Sequence, residues 1–433
     1  MARTELFVII EGMPAGILRQ DSTGQIYFRY ADGYRGTPLS LSLPVTNREY
    51  GQAVVRPYLF GLLPDSEEQR RAAASEYGGR PNNPVAMLAY MGLDCPGAVQ
   101  FCRADERSLA EAILRPGTYE PLSRETIAQR LKGLRNSAED TWLADGEHWS
   151  LGGNQGKFAL AMRGGQWCSC QGSAATTHIF KNGVLGYKLQ ALNEFVCMRT
   201  AAACGIDAAD VAYEFFEDEP ALVVSRYDRV ESDGNVKRLH FEDVCQALSV
   251  MPSMKYASDG GPTARDLVRL LATTGDAARR NLMAFTEQLF FNCLIGAPDA
   301  HAKNYSLGLG PNGLARLAPM YDVASALAYE GMEHTGRLAM AIGGENRFGR
   351  VGEGAIRRYA GSRDKALAEV LGRHGLTESV CLECMARLAQ CIPPAMEQVF
   401  EENILVPGMD ELCTHLLEPV KKNCARTLDL LSG

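Results

Sequence analysis

Two aspartates and an asparagine, spaced as phosphoryl-transfer chemistry needs them, lie in one stretch of this 433-residue chain, residues 290–325: FFNCLIGAPDAHAKNYSLGLGPNGLARLAPMYDVAS. An apolar helix end, Gln288 to Ile295, breaks at Gly296-Ala297-Pro298 and gives way to a polar cluster holding Asp299, His301, Lys303 and Asn304. Two short apolar strands, the second over Leu314 to Met320, then lead to Tyr321-Asp322-Val323. An Asp-x4-Asn pair with a second Asp one hairpin later can place a general base and two Mg2+ ligands around a transferring phosphoryl group. Asp299 would accept the proton of a substrate hydroxyl. Asn304 would offer a neutral oxygen and Asp322 a charged one to Mg2+, a hard cation that takes oxygen ligands. His301 would orient Asp299 or face the nucleotide. The same residues also fit a plainer reading: Asx caps around a helix break, a turn Asp, and a loop His bonded to backbone.

Such chemistry needs elements upstream that hold a nucleotide. SLGGNQGK at 150–157 puts Gly152, Gly153 and Gly156 just before an alternating strand. Without Cβ atoms the backbone N–H groups of such a turn can approach a phosphate, and Lys157 adds a positive charge. The spacing is neither that of a Walker A loop nor of a dinucleotide fingerprint, and strand–loop–strand is expected rather than strand–loop–helix. A glycine-bearing hairpin would look the same. Thr176 to Lys181 reads as a short strand ending in lysine, and Leu192 to Cys204 as a helix stopped by Gly205, with Glu194 near its first turn. A strand Lys followed by a helix Glu is the pairing that aims lysine at the α- and β-phosphates; an edge Lys and a helix-dipole Glu are the alternative. Ala221 to Arg229 is a buried strand turning polar at Ser225-Arg226-Tyr227, suited to a hinge whose backbone bonds adenine.

Length and composition fit a globular chain of two or three domains. A formal net charge of −8 excludes a general basic field for nucleic acid, leaving a local basic face or a basic partner. Thirteen irregularly spaced cysteines and a start without a signal-peptide core fit reduced thiols in the cytoplasm. Cys381-x-x-Cys384 has no second pair to complete a zinc site and lies in a leucine-rich helical context, so both read as buried thiols, as do Cys168 and Cys170. No run approaches eighteen apolar residues, so no membrane span is expected.

The chain opens β-rich, with a meander over residues 6–30 and an alternating strand at Leu39 to Pro44, then a helix at Ser66 to Glu76 and another from Pro84 to Met91. A polar helix is expected near 120–140. Beyond 240 it turns helical: His240 to Ser249, Ala264 to Leu271, Leu282 to Ile295, then near 351–375, 377–392 and 408–431, with Asp259-Gly-Gly-Pro262 as a marked loop. The pattern predicts an α+β protein: a two-lobed protein-kinase-like fold with a β-rich N-terminal subdomain (1–110), an N-lobe (111–230) and a mainly helical C-terminal lobe (231–433).

Taken in order, these pieces resemble the HipA family of bacterial serine/threonine-protein kinase toxins over nearly the whole length. The N-terminal part carries LSLSLP at 39–44, LLPD at 62–65 and GLDCPGAVQF at 92–101. The rest carries SLGGNQGK at 150–157, THIFK at 177–181, NEFVCMRTA at 193–201, DGGP at 259–262, DAHAKN at 299–304 and MYDVAS at 320–325. The resemblance implies Asp299 as catalytic base with His301 beside it, and Asn304 and Asp322 as Mg2+ ligands. It implies that ATP is held by the loop Leu151, Gly152, Gly153, Asn154, Gln155, Gly156 and Lys157, by Lys181, by the hinge Ser225, Arg226 and Tyr227, and by Tyr321. Ser150 matches the serine the family autophosphorylates. The family pairs with a HipB-type helix-turn-helix antitoxin, reaches operator DNA through that complex, and phosphorylates an aminoacyl-tRNA synthetase, glutamyl-tRNA synthetase being the usual target, which arrests growth and promotes persistence. The hinge departs from the family, having Ser225 where Glu usually precedes Arg-Phe. A catalytically silent kinase-fold co-repressor, and a small-molecule kinase of the phosphoinositide or aminoglycoside type, share parts of this pattern; intact Asp299, Asn304 and Asp322 weigh against the first and the N-terminal subdomain against the second.

Overall fold

The structure is a computed structural model; it describes residues 4–76, 80–114, 117–136, 146–184, 186–232 and 234–432. The chain divides into two compact units: Met1–Gly186 with Tyr213–Ser253 and Ser306–Ala315, and Tyr187–Ala212 with Met254–Tyr305 and Arg316–Gly433.

The first unit carries two sheets. Strands β1 (Thr4–Ile10), β2 (Met13–Gln20), β3 (Ile26–Tyr30), β4 (Glu49–Tyr50) and β5 (Val99–Arg103) form a five-stranded sheet in the order β4-β3-β2-β1-β5, with every described pairing antiparallel. Alternation decides which side chains go where, since successive residues of a strand face opposite ways. Leu6, Val8 and Ile10 enter one buried cluster with Leu18, Ile26 and Phe28, while Ile9 joins Cys102 and Ala112 in another. A second sheet, of β6 (Thr118–Pro121), β7 (Phe158–Arg163), β8 (Gln166–Gln171), β9 (His178–Lys181), β10 (Val211–Phe216) and β11 (Glu219–Ser225), has the order β10-β11-β9-β7-β8-β6. The polar helix expected near 120–140 runs Arg124–Asn136, and residues 137–140 lie outside the described residues.

Two local expectations fail for identifiable reasons. Leu39 to Pro44 alternates like a strand but makes only an isolated bridge between Ser40 and Leu43. Its serines are side-chain donors: Ser42 Oγ donates to the Gln246 carbonyl at 3.0 Å and Ser40 Oγ to the same oxygen at 3.4 Å. His240 to Ser249 is not one helix. Phe241–Asp243 pairs antiparallel with Ser306–Gly308, and the helix begins at Val244 behind a capping box of Asp243 and Gln246.

The segment that joins these parts is built on a buried ionic cluster. The Asp94 carboxylate, 2% exposed, lies 2.9 Å from Arg229 and 2.8 Å from Arg238. It also accepts from Thr176 N–H (3.0 Å) and Thr176 Oγ1 (2.7 Å). Asp228 pairs with Arg226 (2.8 Å) and Arg229 (2.9 Å) and accepts from Gly97 N–H at 2.7 Å. Burial would raise the Asp94 carboxyl, but the guanidinium groups of Arg229, Arg238 and Arg226 hold it well below the usual carboxylate range. Nearby His240 is neutral: burial lowers it to about 4, and as drawn its Nε2 meets the Leu39 carbonyl at 2.9 Å while its Nδ1 meets Ala98 N–H at 3.3 Å.

The second unit is mainly helical, with Gln190–Ala203, Ala264–Ala272, Ala278–Ile295, Glu378–Glu402 and Met409–Ser432 as its longer helices. The expected helix at 351–375 is two, Glu353–Tyr359 and Lys365–Arg373, divided at Gly361 (φ +96°), and Asp364 caps the second. The helix expected to stop near residue 392 continues to Glu402 through Pro393 and Pro394. Its buried stripe of Cys381, Met385, Leu388, Ile392, Met396 and Val399 outweighs the missing N–H groups. Among the described residues no helix is long and apolar enough to cross a membrane, and all thirteen cysteines are free thiols.

Asp94→Ala leaves two buried guanidinium groups, Arg226 and Arg229, and the half-buried Arg238 facing one remaining aspartate, and it is expected to lower stability by about 3–5 kcal/mol, read from the denaturant midpoint. Glu242 gives a pH-dependent counterpart. It is buried, accepts from Leu41 N–H at 2.7 Å, and burial raises its carboxyl to about 8. The fold therefore favours the protonated form, so its contribution is complete below pH 4.5 and disappears as pH rises to about 8. Glu242→Gln, neutral throughout, is expected to gain on wild type steadily over that window in denaturation curves taken from pH 5 to 9.

Candidate active site

In the first unit the glycine loop is strapped down by the LLPD segment. Gly153 and Pro64 form an isolated parallel bridge, and the Gly153 carbonyl accepts from Asp65 N–H at 3.1 Å. The Asn154 carbonyl accepts from Gln69 Nε2 at 3.0 Å, and Lys157 Nζ donates to the Gly152 carbonyl at 2.7 Å. Gly153 has φ +99°, a backbone state that favours glycine. The carbonyls of Gly152, Gly153 and Asn154 are thus all engaged as acceptors. Before the loop there is no strand among the described residues, only a bridge of Trp149 to Asp94; after it β7 begins at Phe158. Ser150 is fully buried. Its N–H donates to the Asp94 carbonyl at 2.9 Å and its hydroxyl to the Leu62 carbonyl. Lys181 is the last residue of β9, buried and paired with Leu222 of β11.

The hinge residues divide. Ser225 ends β11 opposite His178, and Tyr227 packs edge-on against Phe241 at 5.0 Å. Arg226, expected on the nucleotide, is committed elsewhere. Its guanidinium donates to Asp228, Thr176 Oγ1 (2.8 Å) and the Cys95 carbonyl (3.1 Å). Its backbone N–H donates to the Thr177 carbonyl at 2.9 Å and its own carbonyl accepts from Arg229.

In the second unit the Ala278–Ile295 helix ends at Gly296 (φ +67°), and the chain turns into the candidate catalytic loop at 299–304. Within that loop Asn304 Nδ2 donates to the Asp299 carbonyl at 2.7 Å, His301 N–H to the same carbonyl at 2.8 Å, and Asn304 N–H to the His301 carbonyl at 2.9 Å. The Asn304 amide thus has its nitrogen engaged, and its oxygen is the atom it could offer to a cation. Asp322 comes in on the other side. Ala208 and Met320 form a parallel bridge, with the Met320 carbonyl accepting from Ala209 N–H at 2.8 Å. Beyond it, Asn193 grips Ser325 through both backbone groups, at 2.7 and 3.0 Å. Between these anchors Asp322 adopts φ +59°. Tyr321 donates to the Lys303 carbonyl at 2.7 Å, tying the two segments together. Asp299, Asn304, Tyr321 and Asp322 line one cleft, with Gln288 and Asn292 among its other walls.

The charges there are unevenly exposed. The Asp299 side chain is 59% exposed and that of His301 only 4%, with Nε2 at 3.8 Å from Asp299 Oδ1. Burial, followed by the Lys255 charge, lowers His301 to about 3, so its imidazole is neutral. Asp322 and Asn304 fit Mg2+ in kind: one carboxylate and one amide oxygen, with remaining positions open to phosphate and water oxygens. Among the described residues no group of three His, Cys, Asp or Glu could hold a metal, so a cation here would depend on the nucleotide to complete its shell. Cys381 and Cys384 are buried, and burial pushes both thiols up, to about 12 and about 11, which makes them inert.

Comparison with known proteins places this geometry. The family described as HipA-like C-terminal domain matches residues 149–395, and the HipA N-terminal domain matches residues 6–102. The chain belongs to the HipA family. It is 30% identical to the serine/threonine-protein kinase toxin HipA of Shewanella oneidensis over 393 residues, 87% of this chain and 83% of that protein. It is 36% identical over 340 residues to Y4mE of Sinorhizobium fredii, provisionally described as a kinase, covering 77% of this chain and 79% of that one. The S. oneidensis HipA structure, solved with HipB and operator DNA, superposes with a TM-score of 0.81 at 25% identity, covering 99% of this chain and 98% of that one. The fold is that of HipA, with kinase-like architecture, and the kinase relatives make this a kinase family.

Within this HipA-family chain several residues of the site carry no sequence signal of their own. Tyr256 donates to Asp299 Oδ1, and its ring meets His301 edge-on at 4.8 Å. Asp94, Asp65 and Gln69 hold the serine and the loop from positions far away in sequence. A capping or pairing partner so remote has no periodicity to betray it. The left-handed Asp322 offers a direct test. Asp322→Gly keeps that backbone state without a Cβ, whereas Asp322→Ala is expected to be about 1–2 kcal/mol less stable than the glycine variant in matched denaturation curves.

Proposed function

We propose that this chain is an ATP- and Mg2+-dependent serine/threonine-protein kinase, the toxin of a toxin–antitoxin pair. The observation that carries the reading is the convergence of Asp299, Asn304 and Asp322 on one cleft. Asp299, with an exposed carboxylate, takes the proton of the incoming serine hydroxyl. Asn304 and Asp322 hold Mg2+, which when bound neutralises charge developing on the β- and γ-phosphate oxygens. The 151–157 loop and Lys181 hold the phosphates; Ser225, Tyr227 and Tyr321 are the remaining nucleotide contacts in this reading. His301, buried and neutral, supports the Asp299 side of the cleft without carrying charge.

Transfer goes to a serine of an aminoacyl-tRNA synthetase, glutamyl-tRNA synthetase first among them, stalling translation in the cytoplasm and promoting persistence. A helix-turn-helix antitoxin of the HipB type neutralises the kinase and brings the pair to operator DNA; the net charge of −8 suits a basic partner. Ser150 is the second acceptor. Its hydroxyl, buried against the Leu62 carbonyl, must leave that place to be phosphorylated. Once it carries about two negative charges it cannot return to a dry, acceptor-lined position, so the loop stays out and the enzyme is off.

Purified protein with Mg2+ and γ-labelled ATP should label itself at Ser150 and label glutamyl-tRNA synthetase. Asp299→Asn should lower both by at least about a hundredfold. Ser150→Ala should lose the self-label and keep transfer to the synthetase. Wild-type protein that incorporates no label at all sinks the reading.

A further inference from the structure

The DGGP loop and the residues before it have no part in the chemistry described so far, yet they end on the catalytic base. Tyr256 is fixed at three points. Its carbonyl accepts from Asp259 N–H at 3.1 Å and Gly261 N–H at 3.0 Å, so the DGGP loop folds back on it. Gly261 has to be glycine, because a Cβ there would lie 1.8 Å from the Met254 carbonyl oxygen. The Tyr256 ring meets buried His301 edge-on at 4.8 Å on one side, and Lys255 Nζ lies 5.6 Å from the ring centroid. The hydroxyl donates to Asp299 Oδ1. The same segment is bound to the catalytic loop, since Ala302 N–H donates to the Lys255 carbonyl at 3.3 Å.

Asp299 needs such a partner. Its side chain is 59% exposed, and neutral His301 at 3.8 Å makes no hydrogen bond to it. A carboxylate on a loop, with solvent on most of its surface, gains from each bond that restricts its side-chain torsions, since a base that turns is out of place for part of the time. A hydroxyl hydrogen bond to an ionised carboxylate is among the stronger ones. The bond fixes Oδ1 and with it the direction of the carboxylate.

We propose that Tyr256 is a positioning residue for the catalytic base, with the DGGP loop and His301 as the frame that aims its hydroxyl at Asp299. This rests on the phosphotransferase reading above, and it assigns the DGGP motif a purpose: it sets the direction of one side chain.

Two measurements test it. In steady-state phosphotransfer, Tyr256→Phe is expected to lower kcat about tenfold with the KM for ATP within twofold of wild type, because the loss is one of base geometry and not of nucleotide binding. An unchanged or raised kcat, or phosphotyrosine found at position 256, overturns the proposal; the last would make the hydroxyl a phosphate acceptor. The second measurement needs no activity. Protein grown with 3-fluorotyrosine is compared by fluorine NMR before and after Asp299→Ala, the Tyr256 signal being the one missing from Tyr256→Phe. That signal is expected to move when the carboxylate is removed; a signal that stays put shows that the contact does not exist in solution and overturns the proposal. If wild type transfers no phosphate, the functional reading falls on that result alone and the fluorine spectrum still decides the contact.

Discussion

The Asp94 carboxylate is the interaction on which the first unit depends. One buried anion meets Arg229, Arg238 and Thr176, while its own backbone carbonyl receives Ser150 N–H. It therefore joins the N-terminal sheet to the hinge strand and to the entry of the glycine loop at the same time. An isolated carboxylate in such a place would take up a proton and weaken every contact it makes; paired with guanidinium groups it stays ionised and holds them all. The consequence is mechanical. Ser150 and the hinge are not independently placed, since Arg226 and Arg229 reach the same small region around Asp94 and Cys95.

The second unit follows a different rule, that of a loop satisfying its own backbone. Residues 299–304 form no helix of useful length, and their polar groups bond to one another and to the segment 255–256. Asp322 stands in a left-handed backbone state between two anchors, the Ala208–Met320 bridge and the Asn193–Ser325 pair. Strain of that kind persists only where the surroundings over-determine the residue. Here they do: the NEFVCMRTA helix supplies Asn193, so a motif far upstream fixes the position of a metal-ligand candidate.

Elements whose cause is local could be read from the sequence. Asn83 followed by Pro84 marks a helix start, and the helix runs Pro84–Met91. Gly296 marks the end of the Ala278–Ile295 helix, so the break before Asp299 falls where the glycine puts it. Elements whose cause is distant could not. The LSLSLP alternation looks like a strand because its serines resemble outward-facing strand positions, but they are bound to a carbonyl more than 200 residues away. The capping box of Asp243 and Gln246 starts that helix at Val244, while the residues before it are drawn into a strand by Ser306–Gly308, a partner more than 60 residues on. At the site, the types and spacing of Asp299, Asn304 and Asp322 pointed to the chemistry, whereas Tyr256, 43 residues before its partner, could only be found in three dimensions.

These two kinds of support assign different jobs to different parts of the chain. The 299–304 loop is held by bonds within itself and by the 255–256 segment, which reaches it from more than 40 residues upstream. The glycine loop is held by a few bonds from the Leu62–Gln69 segment and by a serine hydroxyl on a carbonyl. Each of those bonds contributes only about 1 kcal/mol net, while Ser150 N–H on the Asp94 carbonyl ties the entry of the loop to the Asp94 cluster. The Asp299–Asp322 cleft and the glycine loop thus stand on separate sets of bonds, the first within its own segment and its 255–256 neighbour, the second on the Leu62–Gln69 strap and the Asp94 carbonyl.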